Sequence, residues 1–325
     1  MYQSGITRAV IIGTGRVGSH CAMSLIARRL IDEIVLIDAN MAFAKAQATD
    51  LSDFAIGMGS SVTVRAGSYV DCDAATFALV TAGRGRRPGE SRLDLLNDTL
   101  GVLSNIADQL SATDFDGLVI CVTNPVDIAT EYLYHRLNLP SSQILGTGTS
   151  LDTIRLKRIL SERTGVDAKQ IQGFCMGEHG DSSFIAWSHV SLGGVPLPEF
   201  LQSSQNGGRP FEMAEIQDEV HVTGASIISG KHCTEFGVGS VVTDVIAAVS
   251  RNQTRVLPLS VHLSGQYGWH GLSIGAPCIV NGQGIERVLE TNLTPDEQEL
   301  MQVSCRLIKR RLKSIEILNC DSSDA

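Results

Sequence analysis

The chain has 325 residues, of which 43% are hydrophobic and 19% charged, a balance typical of a globular protein with room for two domains. Its net charge of −9 argues against a nucleic-acid partner. No apolar run approaches the length of a membrane-spanning helix, and the N-terminal run is too short for a signal peptide. The eight cysteines form no C-x-x-C pair, which predicts a reducing, cytoplasmic setting without a metal site or a disulfide scaffold.

Short apolar runs rich in β-branched residues alternate with helical patterns in the first half of the chain. The predicted strands are residues 9–12, 33–37, 62–66, 78–81, 118–122 and 144–146, and the clearest helical stretches between them are 17–30 and 92–112. Strands that are apolar on both faces and separated by helices predict a doubly wound parallel sheet, the Rossmann architecture of the α/β class. We expect this domain to cover residues 1–147.

After residue 147 the pattern becomes a mixture of helices and less regular strands. A helix is predicted from a cap at Thr149 or Ser150 to a glycine stop at Gly165. Strand-like segments at 184–192 and 256–262, helical stretches near 212–250 and a capped helix from Thr294 follow. That last helix has apolar residues at helical spacing, at Leu300, Val303, Leu307, Leu312 and Ile315. The pattern predicts a C-terminal α+β substrate domain over residues 148–325, packed on the first.

The first predicted strand leads into a glycine-rich turn, AVIIGTGRVGSH. Gly13 permits the tight turn, Gly15 lets a pyrophosphate approach the backbone, and Gly18 lets the next helix pack closely on the sheet. The second strand ends in Asp38, at about the twenty-residue spacing typical of acids that bind the ribose of NAD. Because an acid there would repel a 2′-phosphate, the motif predicts NAD as cofactor. Arg16, Val17, Thr81, Ala82, Gly83 and Asn124 complete the predicted cofactor site.

Three motifs carry further candidate site residues. In SLDTIR, Asp152 and Arg155 share a helix face at the predicted domain junction, although a surface ion pair has the same spacing. In MGEHGD, His179 has glycines on both sides and fits a core histidine, a metal ligand with Asp181 or a general acid/base. In VTNPVD, Asn124 follows the carboxyl end of a predicted strand, where ligands bind in such sheets.

The segment TAGRGRRPGESR, residues 81–92, concentrates four arginines on a glycine-rich loop of an acidic chain. Hydride transfer between NADH and a carbonyl needs a proton donor, a carboxylate that orients the donor, a cation that anchors a substrate carboxylate, and a group that polarises the carbonyl. The candidates for these four requirements are, in the same order, His179, Asp152, Arg155 and Arg92.

Together the motifs resemble the family of NAD-dependent L-lactate and malate dehydrogenases. The resemblance runs from about residue 8 to 318 and is carried by GTGRVGS, PGESRLDLL, VTNPVD, GTGTSLDTIR, GEHGDSS and WSHVSLGGVPL. It implies a two-domain subunit, assembled as a tetramer or dimer, that acts on a small 2-oxo or 2-hydroxy acid. It also implies that His179 exchanges the proton with Asp152 as its partner. Arg92 would then polarise the carbonyl, Arg155 would bind the carboxylate, and Asn124 would lie near the nicotinamide and substrate.

Within this family most motifs resemble the lactate branch. Glu178 stands where malate enzymes usually have glycine, Thr234 where lactate enzymes typically have threonine beside the substrate, and Glu90 where malate enzymes often have an apolar residue. Arg86 indicates the opposite, because lactate enzymes have glutamine at this loop position and malate enzymes have arginine. An arginine there would pair with the second carboxylate of oxaloacetate but would be buried without a partner over the methyl group of pyruvate.

Arg86 escapes that penalty if it pairs with Glu90 or points to solvent. We therefore expect conversion of pyruvate to L-lactate, with a malate-type or broader L-2-hydroxy acid substrate as the alternative. Many bacterial lactate enzymes bind fructose 1,6-bisphosphate through an arginine and a histidine; the matching residues here are Lys157 and Gln172, so we expect weak or absent activation by that sugar.

Two functions from other classes compete with this interpretation. A non-catalytic NAD-binding regulator predicts loss of the histidine, aspartate and arginine set, which this chain keeps. A metal hydrolase built on His179 and Asp181 has too short a ligand list, because catalytic zinc sites use three protein ligands.

Overall fold

The computed structural model describes residues 6–83, 92–202 and 211–315, apart from the side chains of residues 92–95. In the first half, strands and helices alternate along the chain. They are β1 (Arg8–Ile12), α1 (Arg16–Arg28), β2 (Glu33–Ile37), α2 (Met41–Gly57), β3 (Thr63–Ala66), β4 (Phe77–Val80), α3 (Arg92–Ser111), β5 (Leu118–Cys121), α4 (Val126–Arg136) and β6 (Ile144–Gly146). The strands lie in the order β3-β2-β1-β4-β5-β6 and all pair in parallel. This confirms the predicted Rossmann sheet, with strand bounds that differ from the predicted ones by one residue at most.

The second half begins with α5 (Ser150–Thr164) and continues as small sheets and long helices. The elements are β7 (Ile171–Gln172), β8 (Cys175–Met176), β9 (Phe184–Ile185), β10 (Ser191–Leu192), β11 (Val195–Pro196), α6 (Leu197–Gln202), α7 (Met213–Lys231), α8 (Phe236–Ser250), β12 (Arg255–Ser264), β13 (His270–Asn281), β14 (Gly284–Val288) and α9 (Pro295–Ser314). This confirms an α/β C-terminal part after the parallel sheet.

The two halves share one sheet, which the sequence did not indicate. Strand β12 pairs antiparallel with β6 through Ser260 and Gly146, and β13 and β14 bring the sheet to nine strands within the described residues. Backbone hydrogen bonds therefore cross from one half of the chain to the other. They bring β12 beside the carboxyl end of the parallel strands.

Both faces of the parallel sheet are buried, as its apolar strands require. Along β1, Ala9 and Ile11 belong to one core cluster and Val10 and Ile12 to another. The first cluster includes the packed helices α1 and α8, and the second includes α3 and α4. The sheet is thus a rigid platform whose strand ends can hold a site. The helices of the described ranges contain no stretch that is both long and apolar enough to cross a membrane.

Helix ends differ in part from the sequence expectation. Thr149 is the N-cap of α5, but its hydroxyl donates to the Cys175 carbonyl at 2.7 Å and does not cap the helix. The predicted end of α5 at Gly165 is confirmed, because this residue is the C-cap and adopts a φ of 73°. Thr294 caps α9 in a capping box with Glu297.

The residues of α9 that are buried are only partly the apolar residues at helical spacing that the sequence indicated. Leu300 and Val303 are 45% and 43% exposed. The buried residues of this helix are Glu297, Met301, Ser304, Cys305, Ile308 and Leu312. Polar Ser304 and Glu297 face inward because they accept hydrogen bonds from backbone amides of the loops beneath the helix.

A buried carboxylate, Glu131 on α4, ties this helix to the β12–β13 hairpin. Its oxygens bond to His135 Nε2 at 3.0 Å and His262 Nδ1 at 2.9 Å, and they accept from Ser273 Oγ at 2.8 Å. The His262 ring stacks on Tyr134 with centroids 3.9 Å apart. Burial raises the pKa of Glu131, but the bonds from the two histidines and Ser273 outweigh it and lower the pKa to about 2.

We predict that Glu131→Gln lowers the free energy of unfolding at pH 7 by about 2–4 kcal/mol, because the histidines lose an anionic partner. A depressed pKa stabilises the fold above the ordinary glutamate pKa of 4.5, and this stabilisation is lost as the pH falls toward about 2. Urea unfolding at pH 7 and pH 4 measures both effects. Exposed Glu162, which pairs with Arg158, supplies the control Glu162→Gln, with an expected change below about 0.5 kcal/mol. Equal stability of wild type and Glu131→Gln at pH 7 would contradict the prediction.

Candidate functional site

The glycine turn after β1 has the shape that a bound dinucleotide requires. Gly13 has a φ of 97°, and a Cβ there would lie 2.6 Å from the backbone of Ala82. A Cβ on Gly18 would overlap the Gly13 carbonyl oxygen. A Cβ on Gly15 would meet no atom of the chain within 4 Å, so this residue borders open space at the N-terminus of α1. The turn therefore fits an anionic group placed against helix α1.

Asp38 is fixed against this turn by short hydrogen bonds. Its Oδ2 accepts from the Thr14 amide at 2.9 Å and the Thr14 hydroxyl at 3.0 Å, and its Oδ1 accepts from the Asn40 amide. Asn40 itself caps α2 through the Phe43 amide. The carboxylate is half-buried at the end of β2, in a position suited to accept hydrogen bonds from ribose hydroxyls, and these neighbours bring no cation for a 2′-phosphate.

The remaining predicted cofactor residues lie along the same edge. The Thr81 hydroxyl donates to the Gly13 carbonyl at 2.5 Å, and the Thr123 hydroxyl donates to the Ala82 carbonyl at 2.7 Å, so the ends of β1, β4 and β5 are joined. Gly83 is exposed beyond Ala82. The side chains of the other two predicted cofactor residues, Arg16 and Val17, contact other parts of the chain.

Arg16 and Val17 follow Gly15 as the first two residues of α1. Arg16 donates to the Lys231 carbonyl at the end of α7 at 2.9 Å. Val17 packs against the core cluster that contains α1 and α8.

The Asp152 carboxylate joins the two other reactive side chains of the second half. Its Oδ2 lies 2.7 Å from His179 Nδ1, and its Oδ1 accepts from Arg155 Nη1 at 2.9 Å. Asp152 and Arg155 are 6% and 9% exposed, and Arg155 is therefore buried, unlike the surface ion pair that the spacing alone permitted. The His179 ring keeps its other nitrogen, Nε2, for a ligand.

The electrostatics of this trio favour a charged imidazole. Burial lowers the pKa of His179, but the charge and hydrogen bond of Asp152, with a further contribution from Asp127, outweigh burial and raise it above the ordinary value. Burial raises the pKa of Asp152, whereas His179 and Arg155 lower it, and the net pKa lies below the ordinary aspartate value. The carboxylate thus stays ionised while His179 gains or loses a proton.

A cavity of about 130 Å³ brings the predicted substrate residues together. Four predicted residues line it, namely Asn124, Arg155, His179 and Thr234. Apolar residues Val122, Leu151, Val238 and Val241 form much of the remaining wall. Its size suits a small organic acid and is below the range of about 300–1,000 Å³ that is common for drug-sized ligands.

Two residues near this cavity were missed by sequence reasoning. Gly224 on α7 lines the cavity, and a Cβ there would lie 3.3 Å from Arg155 Nη2. Asp127 on α4 is 2% exposed and accepts from the His179 backbone amide at 2.7 Å. Asp127 belongs to the VTNPVD motif and could have been identified as a site residue from it. No motif in the sequence around Gly224 indicated that this residue lines the site.

Glu178, interpreted above as a mark of the lactate branch, has a structural partner. It forms an ion pair with Arg311 on α9, and it accepts from the Ser182 hydroxyl at 2.6 Å. Among the described residues, no group of three or more His, Cys, Asp or Glu side chains could hold a metal ion.

Further predicted residues belong to the arginine-rich segment 81–92. Arg86 and Glu90 lie outside the described residues, as do Arg84 and Arg87. Arg92 is the first residue of α3, and its side chain is also outside the description. The expectations for the carbonyl polariser and for the residue facing the third substrate carbon remain predictions.

The fold and these residues define the class of NAD-dependent dehydrogenases with a Rossmann domain. The family model for the "lactate/malate dehydrogenase, NAD binding domain" matches residues 7–146, and that for the "lactate/malate dehydrogenase, alpha/beta C-terminal domain" matches 149–317. The chain belongs to the lactate/malate dehydrogenase family, and its cofactor is NAD.

Individual proteins agree with this assignment. L-lactate dehydrogenase 1 of Bifidobacterium longum is 38% identical over 308 residues, covering 95% of this chain and 98% of the relative. The minor L-lactate dehydrogenase of Enterococcus mundtii superposes with a TM-score of 0.90 at 33% identity, over 98% of this chain and 99% of that one. A malate dehydrogenase from Aeropyrum pernix superposes with a TM-score of 0.87 at 30% identity, over 94% and 97% of the two chains. The fold is thus common to both branches, and the substrate must be inferred from side chains.

Proposed function

We propose that the protein is an NAD-dependent L-lactate dehydrogenase that interconverts pyruvate and L-lactate. The observation that carries the proposal is the single buried carboxylate of Asp152 that binds both His179 and Arg155 at the wall of one small cavity. This arrangement offers a proton donor and a carboxylate anchor to the same small molecule. The glycine turn and Asp38 would hold NAD, which would supply or accept the hydride when bound.

His179 transfers the proton. In its protonated form it donates from Nε2 to the carbonyl oxygen of the 2-oxo acid, and in the reverse direction it accepts the hydroxyl proton. Asp152 fixes the ring through Nδ1 and stabilises the imidazolium. Since reduction needs the protonated ring, the rate of reduction should fall as the pH rises through the His179 pKa, which lies above its ordinary value.

Arg155 anchors the substrate carboxylate. One guanidinium nitrogen is held by Asp152, which leaves the rest of the fork to meet a carboxylate in the cavity. Asn124 and Thr234 line the same cavity and supply polar contacts to the substrate, and Arg92 polarises the carbonyl as negative charge develops.

Pyruvate is favoured over oxaloacetate by the two L-lactate dehydrogenases named above and by the lactate-like residues Glu178, Glu90 and Thr234. The alternative is a malate-type or broader 2-hydroxy acid substrate, and it is favoured by Arg86 alone. We propose that Arg86 belongs to the substrate site, opposite the third substrate carbon, and that it pairs with Glu90 or turns to solvent and meets no second carboxylate when pyruvate is bound.

A substrate panel tests this function. We expect NADH oxidation with pyruvate to exceed that with oxaloacetate and with longer 2-oxo acids in kcat/KM. We also expect wild type and Arg86→Gln to reject oxaloacetate to the same degree, with Arg84→Gln as the control in the same segment of the sequence. A preference for oxaloacetate that Arg86→Gln reverses would instead support the malate-type alternative. Absence of turnover with every 2-oxo acid would support a non-catalytic NAD-binding protein.

Gly224 gives a second prediction, since its Cα faces the Arg155 guanidinium. In Gly224→Ala the new methyl group would lie 3.3–3.4 Å from two guanidinium nitrogens and narrow the space for the substrate carboxylate. We expect the KM for pyruvate to rise about tenfold, or 1.4 kcal/mol, with NADH affinity unchanged. Gly230→Ala, on the same helix with no atom within 4 Å of its Cβ, is the matched control. Equal KM values in the two variants would remove Gly224 from the substrate site.

The proposal includes a division into an NAD-binding domain at 1–147 and a substrate domain at 148–325. It also includes a cytoplasmic homo-oligomer, a tetramer or dimer.

Weak or absent activation by fructose 1,6-bisphosphate is also part of the proposal. Burial lowers the pKa of Lys157, near Asp244 and Arg255, and Gln172 is exposed on β7 without a charge. A clear shift in pyruvate affinity on adding the sugar would contradict this part.

A further inference from the structure

Asp127 has a buried carboxylate that the steps above do not use. Its Oδ2 accepts from the backbone amide of His179 at 2.7 Å, and its Oδ1 accepts from Ser260 Oγ at 2.6 Å. We propose that Asp127 is a positioning residue that fixes the main chain of His179 and, as an anion, favours its protonated ring. The proposal rests on the function of His179 proposed above.

The side chain of Asp127 forms its hydrogen bonds outside its own helix. An acid in the first turn of a helix commonly complements the helix dipole. Here, however, both oxygens bond to other elements, one to the loop between β8 and β9 and one to strand β12. The N-cap of α4, Pro125, makes no side-chain cap, and Asp127 does not replace it. The carboxylate therefore joins α4, β12 and the histidine loop, residues 177–183 between β8 and β9.

His179 is consequently held from two independent helices. Asp152 on α5 holds the ring at 2.7 Å, and Asp127 on α4 holds the backbone at the same distance. Two residues before His179, Gly177, with a φ of 89°, pairs with Gly275 of β13 through two backbone hydrogen bonds. Without Asp127 the backbone amide of His179 would lose its partner in a buried setting, and the contact of the ring with Asp152 would no longer be supported from the main chain.

Asp127 is mainly anionic at neutral pH, although its surroundings raise its pKa. Burial raises the pKa of Asp127 to about 6, while Ser260, the His179 amide and the imidazole charge lower it and the charge of Glu178 raises it. Asp152 and Asp127 raise the pKa of His179 against burial and the charge of Arg155.

Two buried thiols, Cys121 and Cys305, also lie in the field of Asp127. Burial raises the pKa of each to about 12, and the charge of Asp127 adds to that rise, so they stay neutral. Among the described residues, the charges that act on the His179 ring at neutral pH are therefore the carboxylates of Asp152 and Asp127 and the guanidinium of Arg155, while Glu178, paired with Arg311, acts on Asp127.

Asp127→Asn tests the proposal because asparagine keeps the shape and an acceptor oxygen but removes the charge. Loss of the anion should lower the pKa of His179, so kcat/KM for pyruvate should begin to fall at a lower pH. We expect the midpoint of this fall to move down by about half a pH unit or more. Glu131→Gln is the matched control, a buried acid one turn further along α4 that does not contact His179. It should lose stability and keep the wild-type midpoint.

A second readout does not depend on activity. NMR titration of the His179 ring in the cofactor-free protein, assigned by the signal that disappears in His179→Asn, should show the same downward shift in Asp127→Asn. If Asp127→Asn does not fold, Ser260→Ala should shift the midpoint in the same direction, since the carboxylate loses its donor and holds its proton to higher pH.

The outcomes separate the two proposals. A wild type without turnover on any 2-oxo acid would refute the proposed function, while the NMR titration still tests Asp127. A wild type that turns over pyruvate, with coincident midpoints in wild type and Asp127→Asn by both methods, would overturn the role of Asp127.

Discussion

The site depends on one carboxylate that has two cationic partners. Each oxygen of Asp152 is used once, by His179 on one side and by Arg155 on the other, and all three groups meet where α5 begins. A buried carboxylate is stable only when such partners replace its hydration. In return the carboxylate fixes the direction of both partners. The spacing between proton donor and carboxylate anchor is therefore set by one side chain.

The sheet brings the remaining parts to this carboxylate. The glycine turn, Asp38 and Asn124 all follow the carboxyl ends of parallel strands, so they share one edge. Strand β12 continues the same sheet and supplies Ser260 to the Asp127 carboxylate. The histidine loop is thereby connected to a framework that also holds the cofactor edge.

Much of this could be predicted from the sequence, because local patterns determine it. The six parallel strands are apolar runs between helical patterns, and the turn at Gly13 and Gly18 is imposed by backbone crowding that only glycine tolerates. The pairing of β12 with β6 could not be predicted, because it depends on contacts between residues far apart in the chain. Gly224 was missed for the same reason, since its importance comes from Arg155 on another helix. The inward turn of Ser304 likewise depends on an amide of a distant loop.

The most direct test of the account is Asp152→Asn, which keeps the size of the side chain and removes the charge shared by His179 and Arg155. Stopped-flow NADH oxidation with pyruvate should show a kcat lower by a factor of about 10³–10⁴, as for the equivalent loss in a hydrolase triad. NADH binding, followed by fluorescence, should stay at the wild-type affinity. A kcat within tenfold of wild type would contradict the claim that this carboxylate organises the site.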